Sequence, residues 1–205
     1  VQEQATAALQ VLGYYRPVIS ISRADAKGDS GGTCLVTVDP GPPVRSAGVD
    51  VQLTDQAERP VLQAWIDENR PQRGAVFHHG QYEAFKTGLM QQALMRGYFK
   101  AAWQVQEVRV DIDALTADIH LALASGPRYR VGEVTINGEG IDHGLVARFP
   151  RFRSGDGYDA TKIAELHRGR LRTSWFESVR IRAEPEEAVD LAVPVSVDYT
   201  MRKRN

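Results

Sequence analysis

The sequence predicts an α+β chain of tandem units, each a three-stranded mixed sheet with two helices on one face, in the order strand, helix, helix, strand, strand. Three observations carry this. Short motifs recur at fixed offsets, apolar residues switch between a helical and a strand period, and glycine and proline cluster where one unit gives way to the next.

The offsets come first. Gly97-Tyr98-Phe99 lies 84 residues after Gly13-Tyr14-Tyr15, and "GPRYR" at 126–130 lies 85 after "GPPVR" at 41–45. "YRVGEVTI" follows "SAGVDVQL" in nearly the same register. A second register, of 76, sets Tyr82 on Tyr158 and Lys86 on Lys162, and sets "DIHLALASG" from 118 on "PVSVDYTMR" from 194. The units so defined are 1–45, which lacks a first strand and helix, then 46–127 and 128–205. Hinges are expected at Pro40–Pro43 and Ser125–Pro127.

Each element follows from its period. Ala5, Ala8, Leu9 and Leu12 form the stripe of an amphipathic helix that stops at Gly13. Ile19 and Ile21, then Cys34, Val36 and Val38, alternate as strands. In the second unit Val49, Val51 and Leu53 predict a strand, Val61, Leu62, Trp65 and Ile66 a short helix, and Tyr82, Phe85, Leu89 and Ala93 a longer one that ends at Gly97. Val108, Val110 and Ile112, then Ile119, Leu121 and Leu123, supply its last two strands. The third unit repeats the order: Val134 and Ile136; a short helix at Leu145, Val146 and Phe149; a helix carrying Tyr158 and Lys162; Val179 and Ile181; and Val193, Val195, Val197 and Tyr199.

Each long helix must turn back into its sheet, which calls for a permissive backbone at Gly13 and Gly97. The aromatics that follow are expected to plug cores too small to close themselves. Ser174 stands where the third unit should have this glycine, so its turn must differ.

Composition and charge exclude several functions. The formal net charge of −1 lacks the basic excess of a phosphate-tracking surface, so no nucleic acid is expected. Cys34 is the only cysteine, which rules out a disulfide framework or a thiolate metal site. No uncharged apolar run approaches the roughly 18 residues of a membrane-spanning helix. Gly138, Gly140 and Gly144 come close to a dinucleotide fingerprint, but their spacing is wrong by one residue and the helix expected after them is too short. His78 and His79 are adjacent with diverging side chains and read as loop residues; His120, His143 and His167 are scattered. Glu184, Glu186 and Glu187 around Pro185 read as a solvated turn between the last two strands. No catalytic, cofactor or metal set assembles, and a non-enzyme is expected.

The segments "LGYYRP", "YEAFKTGL", "ALMRGYF", "IHLALASGPRYRVGEVTING" and "GDGYDATKIAELHRGRLRTSWFESVRI", in this order, resemble the polypeptide-transport-associated (POTRA) repeats of outer-membrane assembly proteins. Among these they are most similar to the TamA type, the translocation and assembly module subunits. Trp175 departs from the tyrosine usual at its position. The resemblance implies a periplasmic location, a β-barrel after residue 205 as the only membrane contact, and a role in assembling outer-membrane proteins, autotransporters included. It implies two kinds of partner: an inner-membrane-anchored TamB-like protein and unfolded outer-membrane proteins. BamA-like general assembly factors, with five repeats, and two-partner secretion transporters, with two, remain the alternatives.

In such repeats the second strand is a sheet edge, here 102–110 and 178–184. An edge has unpaired main-chain groups that can take up an added strand. The candidate protein-binding residues are therefore Ile19, Ile21, Trp103, Val105, Val108, Val110, Val179 and Ile181. The opposing reading is that Arg109, Arg180 and Arg182 merely guard these edges.

Overall fold

A computed structural model of the chain describes residues 2–24, 33–54, 59–138, 152–170 and 176–201. The elements, in order, are α1 (Gln2–Val11), β1 (Val18–Ala24), β2 (Thr33–Asp39), β3 (Arg45–Leu53), α2 (Arg59–Asn69), α3 (His79–Met95), β4 (Ala102–Asp111), β5 (Thr116–Ala124), β6 (Arg130–Asn137), α4 (Ala160–Arg170), β7 (Phe176–Ala183) and β8 (Ala192–Met201). A short 3₁₀ turn, Pro185–Glu187, lies between β7 and β8, where the acidic turn was expected. The predicted helix at Leu145–Phe149 and the turn at Ser174 lie outside the described residues.

The chain divides into two compact units, one of residues 1–52, 63–88 and 103–123, the other of 53–62, 89–102 and 124–205. The first contains the antiparallel pair β1–β2, which matches Val18 with Asp39 and Ala24 with Thr33. It also holds most of the sheet ordered β3–β5–β4. Tyr82 and Phe85 of α3, Ile66 of α2, and Ala117, Ile119, Leu121 and Leu123 of β5 are buried, as their periods require. Trp65 stacks on Phe85 with ring centroids 5.4 Å apart. The stripe predicted on α1 is not fully buried: Ala5 and Leu9 are half-buried, Ala8 is exposed, and Leu12, just past the helix end, is 42% exposed.

In the second unit the sheet order is β6–β8–β7, with β6 parallel and β7 antiparallel to the central strand. Val193, Val195, Val197 and Tyr199 point to one face and are buried there. They pack with Val131, Phe152, Tyr158 and Val179. Pro194 interrupts this central strand. Its carbonyl accepts Glu184 N–H at 3.2 Å, so the N–H it lacks falls on the β7 side, just past Ala183 where β7 ends. On its other side the β6–β8 register shifts, Val131 facing Val193 and Val134 facing Val195, with the extra residue on β6.

The two glycine stops do the same work. Gly13 has φ +91° and its carbonyl accepts Val44 N–H at 2.8 Å, while Val44 O accepts Phe77 N–H at 2.9 Å. In the other unit Gly97, at φ +88°, accepts Tyr129 N–H at 2.8 Å, and Tyr129 O accepts Tyr158 N–H at 3.0 Å. A Cβ on Gly13 would lie 2.2 Å from Phe77 O. The aromatics after these turns divide: Tyr98 is buried, whereas Tyr14, Tyr15 and Phe99 are half-buried.

A hinge is expected at Ser125–Pro127, on which two local contacts bear. Ser125 is buried, and Arg128 Nε donates to Arg96 O at 3.0 Å.

Candidate interaction edges

Strand order places β4 and β7 at sheet edges, each paired, among the described residues, on one side only, with the central strand β5 or β8. The strands run Ala102–Asp111 and Phe176–Ala183, so Glu184 falls just outside the second. On β4, Val105 is 43% exposed and Trp103, Val108 and Val110 are half-buried. On β7, Val179 is buried and Ile181 packs beside it against the core. Their side chains are used by the fold, which leaves main-chain pairing as what this edge can offer. Ile19 and Ile21 lie on β1, Ile19 half-buried and Ile21 49% exposed.

Charges decorate both edges. On β4, Arg109 donates through Nε and Nη2 to the two oxygens of Glu107, at 2.8 and 3.0 Å. That hydrogen bond holds the Glu107 carboxyl below its ordinary range and raises the guanidinium. On the open face of the other sheet, Asp198 of β8 accepts from Asn137 of β6 at 3.0 Å and from Arg182 of β7 at 2.8 Å. The two donors lower the Asp198 pKa. The result is a polar ladder across three strands, with Val179, Val197 and Tyr199 on the opposite, buried face.

Two helix starts show chemistry that hydrophobic periodicity did not reveal. Asp159 caps α4: its Oδ1 accepts the Thr161 N–H at 2.9 Å and the Thr161 hydroxyl, and its Oδ2 accepts from Arg96 at 2.6 Å. Burial alone pushes this carboxyl up. The Thr161 bonds, the Arg96 charge and the Lys162 N–H outweigh it, and the pKa is lowered. Burial, and then the Asp159 charge, raise the neighbouring Tyr158 hydroxyl. An Asp directly before an apolar-periodic helix was the available signal.

At α3, His78 Nδ1 accepts the Gly80 N–H at 2.9 Å. His79 is the first residue of the helix and not a loop residue: its ring packs edge-on to Phe77 at 4.7 Å, and Nε2 lies 2.8 Å from the Tyr15 hydroxyl. The two histidines do diverge, and each is held by a separate structural partner. Among the described residues no three His, Cys, Asp or Glu side chains converge as a metal site would require, and no helix is long and apolar enough to cross a membrane.

No protein-family model matches the sequence. Among solved structures, BamA from Haemophilus ducreyi lacking POTRA domains 1–3 matches 78% of this chain at 17% identity, with a TM-score of 0.55. The chain spans 30% of the length of that BamA chain. POTRA domains 3–5 of Haemophilus influenzae BamA match 98% of the chain and 79% of their own at 18% identity, TM-score 0.49. POTRA domains 1–3 of the periplasmic domain of Omp85 from Anabaena match 98% and 81% at 18% identity, TM-score 0.41. At such identities the likeness is one of architecture: this chain has the mixed α+β fold of POTRA domains.

Proposed function

We propose that the chain is an array of three POTRA repeats, 1–45 (partial), 46–127 and 128–205, in the periplasmic part of an outer-membrane protein assembly factor. It works as a protein-interaction scaffold and not as a catalyst. The observation that carries this reading is the pair of edge strands, β4 and β7, each with a main-chain side open to an added strand. Main-chain pairing tolerates many sequences, as a handler of unfolded barrel strands must.

The finer reading is a TamA-type factor whose partners are an inner-membrane-anchored TamB-like protein and unfolded outer-membrane proteins, autotransporters among them. A BamA-like general assembly factor is the second reading, favoured by the fold likeness to BamA; a two-partner secretion transporter shares the same expected edges. Amide NMR titration of the chain with a C-terminal fragment of a TamB-like protein, and separately with an unfolded barrel-strand peptide, separates these readings. Saturating shifts on β4 or β7 with the TamB-like fragment alone support the TamA type. Edge shifts with the barrel-strand peptide alone remove the support for a TamB-like partner and favour the BamA type, and shifts confined to helical faces sink the edge mechanism.

A further inference from the structure

Strands β3 and β6 begin in the same way. Ser46 N–H donates to Ala75 O at 2.9 Å and Ser46 O accepts Gly74 N–H at 2.7 Å; Val131 N–H donates to Asp156 O at 2.7 Å and Val131 O accepts Gly155 N–H at 2.8 Å. Gly74 and Gly155 both have positive φ, +81° and +92°. One residue earlier, Arg45 and Arg130 donate their N–H groups to Leu115 O and Leu191 O. These bonds make Ser46 the counterpart of Val131. Counted from the paired glycines and the paired leucines, Pro71 is the counterpart of Phe152, and Ile119 that of Val195.

Beside β6 the three positions close on one another, with Val131, Phe152 and Val195 buried in one apolar cluster. Beside β3 serine replaces valine and proline replaces phenylalanine, which removes more volume than isoleucine restores. A cavity of about 10 Å³ lies there, and Ser46, Pro71, Gln72, Gln81, Tyr82 and Ile119 are among the residues that line it. Ser46 is 4% exposed, and its Oγ has no hydrogen-bond partner among the described residues. A buried hydroxyl in that condition carries its full desolvation penalty. One water needs about 10–15 Å³ and about two to four polar partners. The cavity has that size, Ser46 supplies one partner, and the side chains of Gln72, Gln81 and Tyr82 carry further donors and acceptors.

We infer that this cavity is a binding site for one structural water, which bonds to Ser46 Oγ and takes the space that Val131 and Phe152 fill at the equivalent place beside β6. The water links β3 to the segment after α2 and to the first turn of α3, where Gln81 and Tyr82 lie. The site is independent of the proposed role of β4 and β7, since it lies under the helices and not along a sheet edge.

The test is a crystal structure of the chain at about 1.5 Å, with Ser46→Val beside it. The expected result is a single density peak about 2.5–3.0 Å from Ser46 Oγ and within the same reach of a second polar atom. In Ser46→Val the peak should be gone and the urea midpoint unchanged or higher, because the valine supplies the volume that Val131 supplies beside β6. A cavity without density, or Ser46 Oγ bonded directly to a protein atom, overturns the site, and the parent chain alone decides this. A lowered midpoint in Ser46→Val overturns the equivalence with Val131.

Discussion

Arg96 and Asp159 meet at 2.6 Å across 63 residues of sequence, and the same carboxylate caps α4 through Thr161. The Asp159 side chain is 7% exposed and that of Arg96 31%, so the pair is only partly screened by water. Because the folded-state pKa of Asp159 is lowered, its contribution is present above the unfolded carboxylate pKa of about 3.9 and disappears as pH falls through the folded value. Protection factors along α4, which correct for the intrinsic pH dependence of exchange, should therefore fall below about pH 4. Asp159→Ala should cost about 1–3 kcal/mol of protection at pH 7 and flatten that dependence. Asp159→Asn, which keeps a capping oxygen, should lose less.

Gly13→Ala forces a side chain into φ +91° and against the carbonyl of Phe77. The left-handed backbone alone costs about 1–2 kcal/mol. Protection of the Val44 amide, which bonds to Gly13 O, should fall with it, as read by hydrogen exchange. Gly97→Ala should do the same to Tyr129.

Val195 is fully buried in the central strand β8, and Val195→Ala should destabilise the second unit by about 2 kcal/mol in urea. Arg182→Ala, which breaks the exposed pair with Asp198, should leave the same transition unchanged within error.

If Glu107 and Arg109 guard β4, removing both charges should expose the edge to self-pairing. Sedimentation velocity on Glu107→Gln/Arg109→Gln should then show dimers at concentrations where the parent chain is monomeric, with no change in unfolding midpoint.

What could be read in the sequence was what depends on local period. Tyr82, Phe85, Leu89 and Ala93 share one face of a helix, and all four are buried. Val193, Val195 and Val197 alternate, and their strand is central. The stripe of α1 was equally regular, yet its burial depends on a facing layer that no local pattern encodes. Arg96 and Asp159 were silent for a similar reason, since nothing near either residue names the other. Leu115 and Leu191 adopt φ of 55° and 63°, a strain that leucine itself does not announce. Their carbonyls receive the N–H groups of Arg45 and Arg130 at 2.9 and 2.8 Å, contacts that only the assembled sheets make visible. Of the candidate site, the alternation along each edge was legible; which side chains the core would claim, as it claims Val179, was not.

The most direct measurement compares two versions of one barrel-strand peptide, unmodified and with every second amide N-methylated, binding to this chain as read by amide exchange along 102–111. The account predicts slowed exchange on β4 with the unmodified peptide and its loss, with at least tenfold weaker binding, when the main-chain donors are blocked. Equal affinity for both peptides would contradict strand addition, whatever surface they bound.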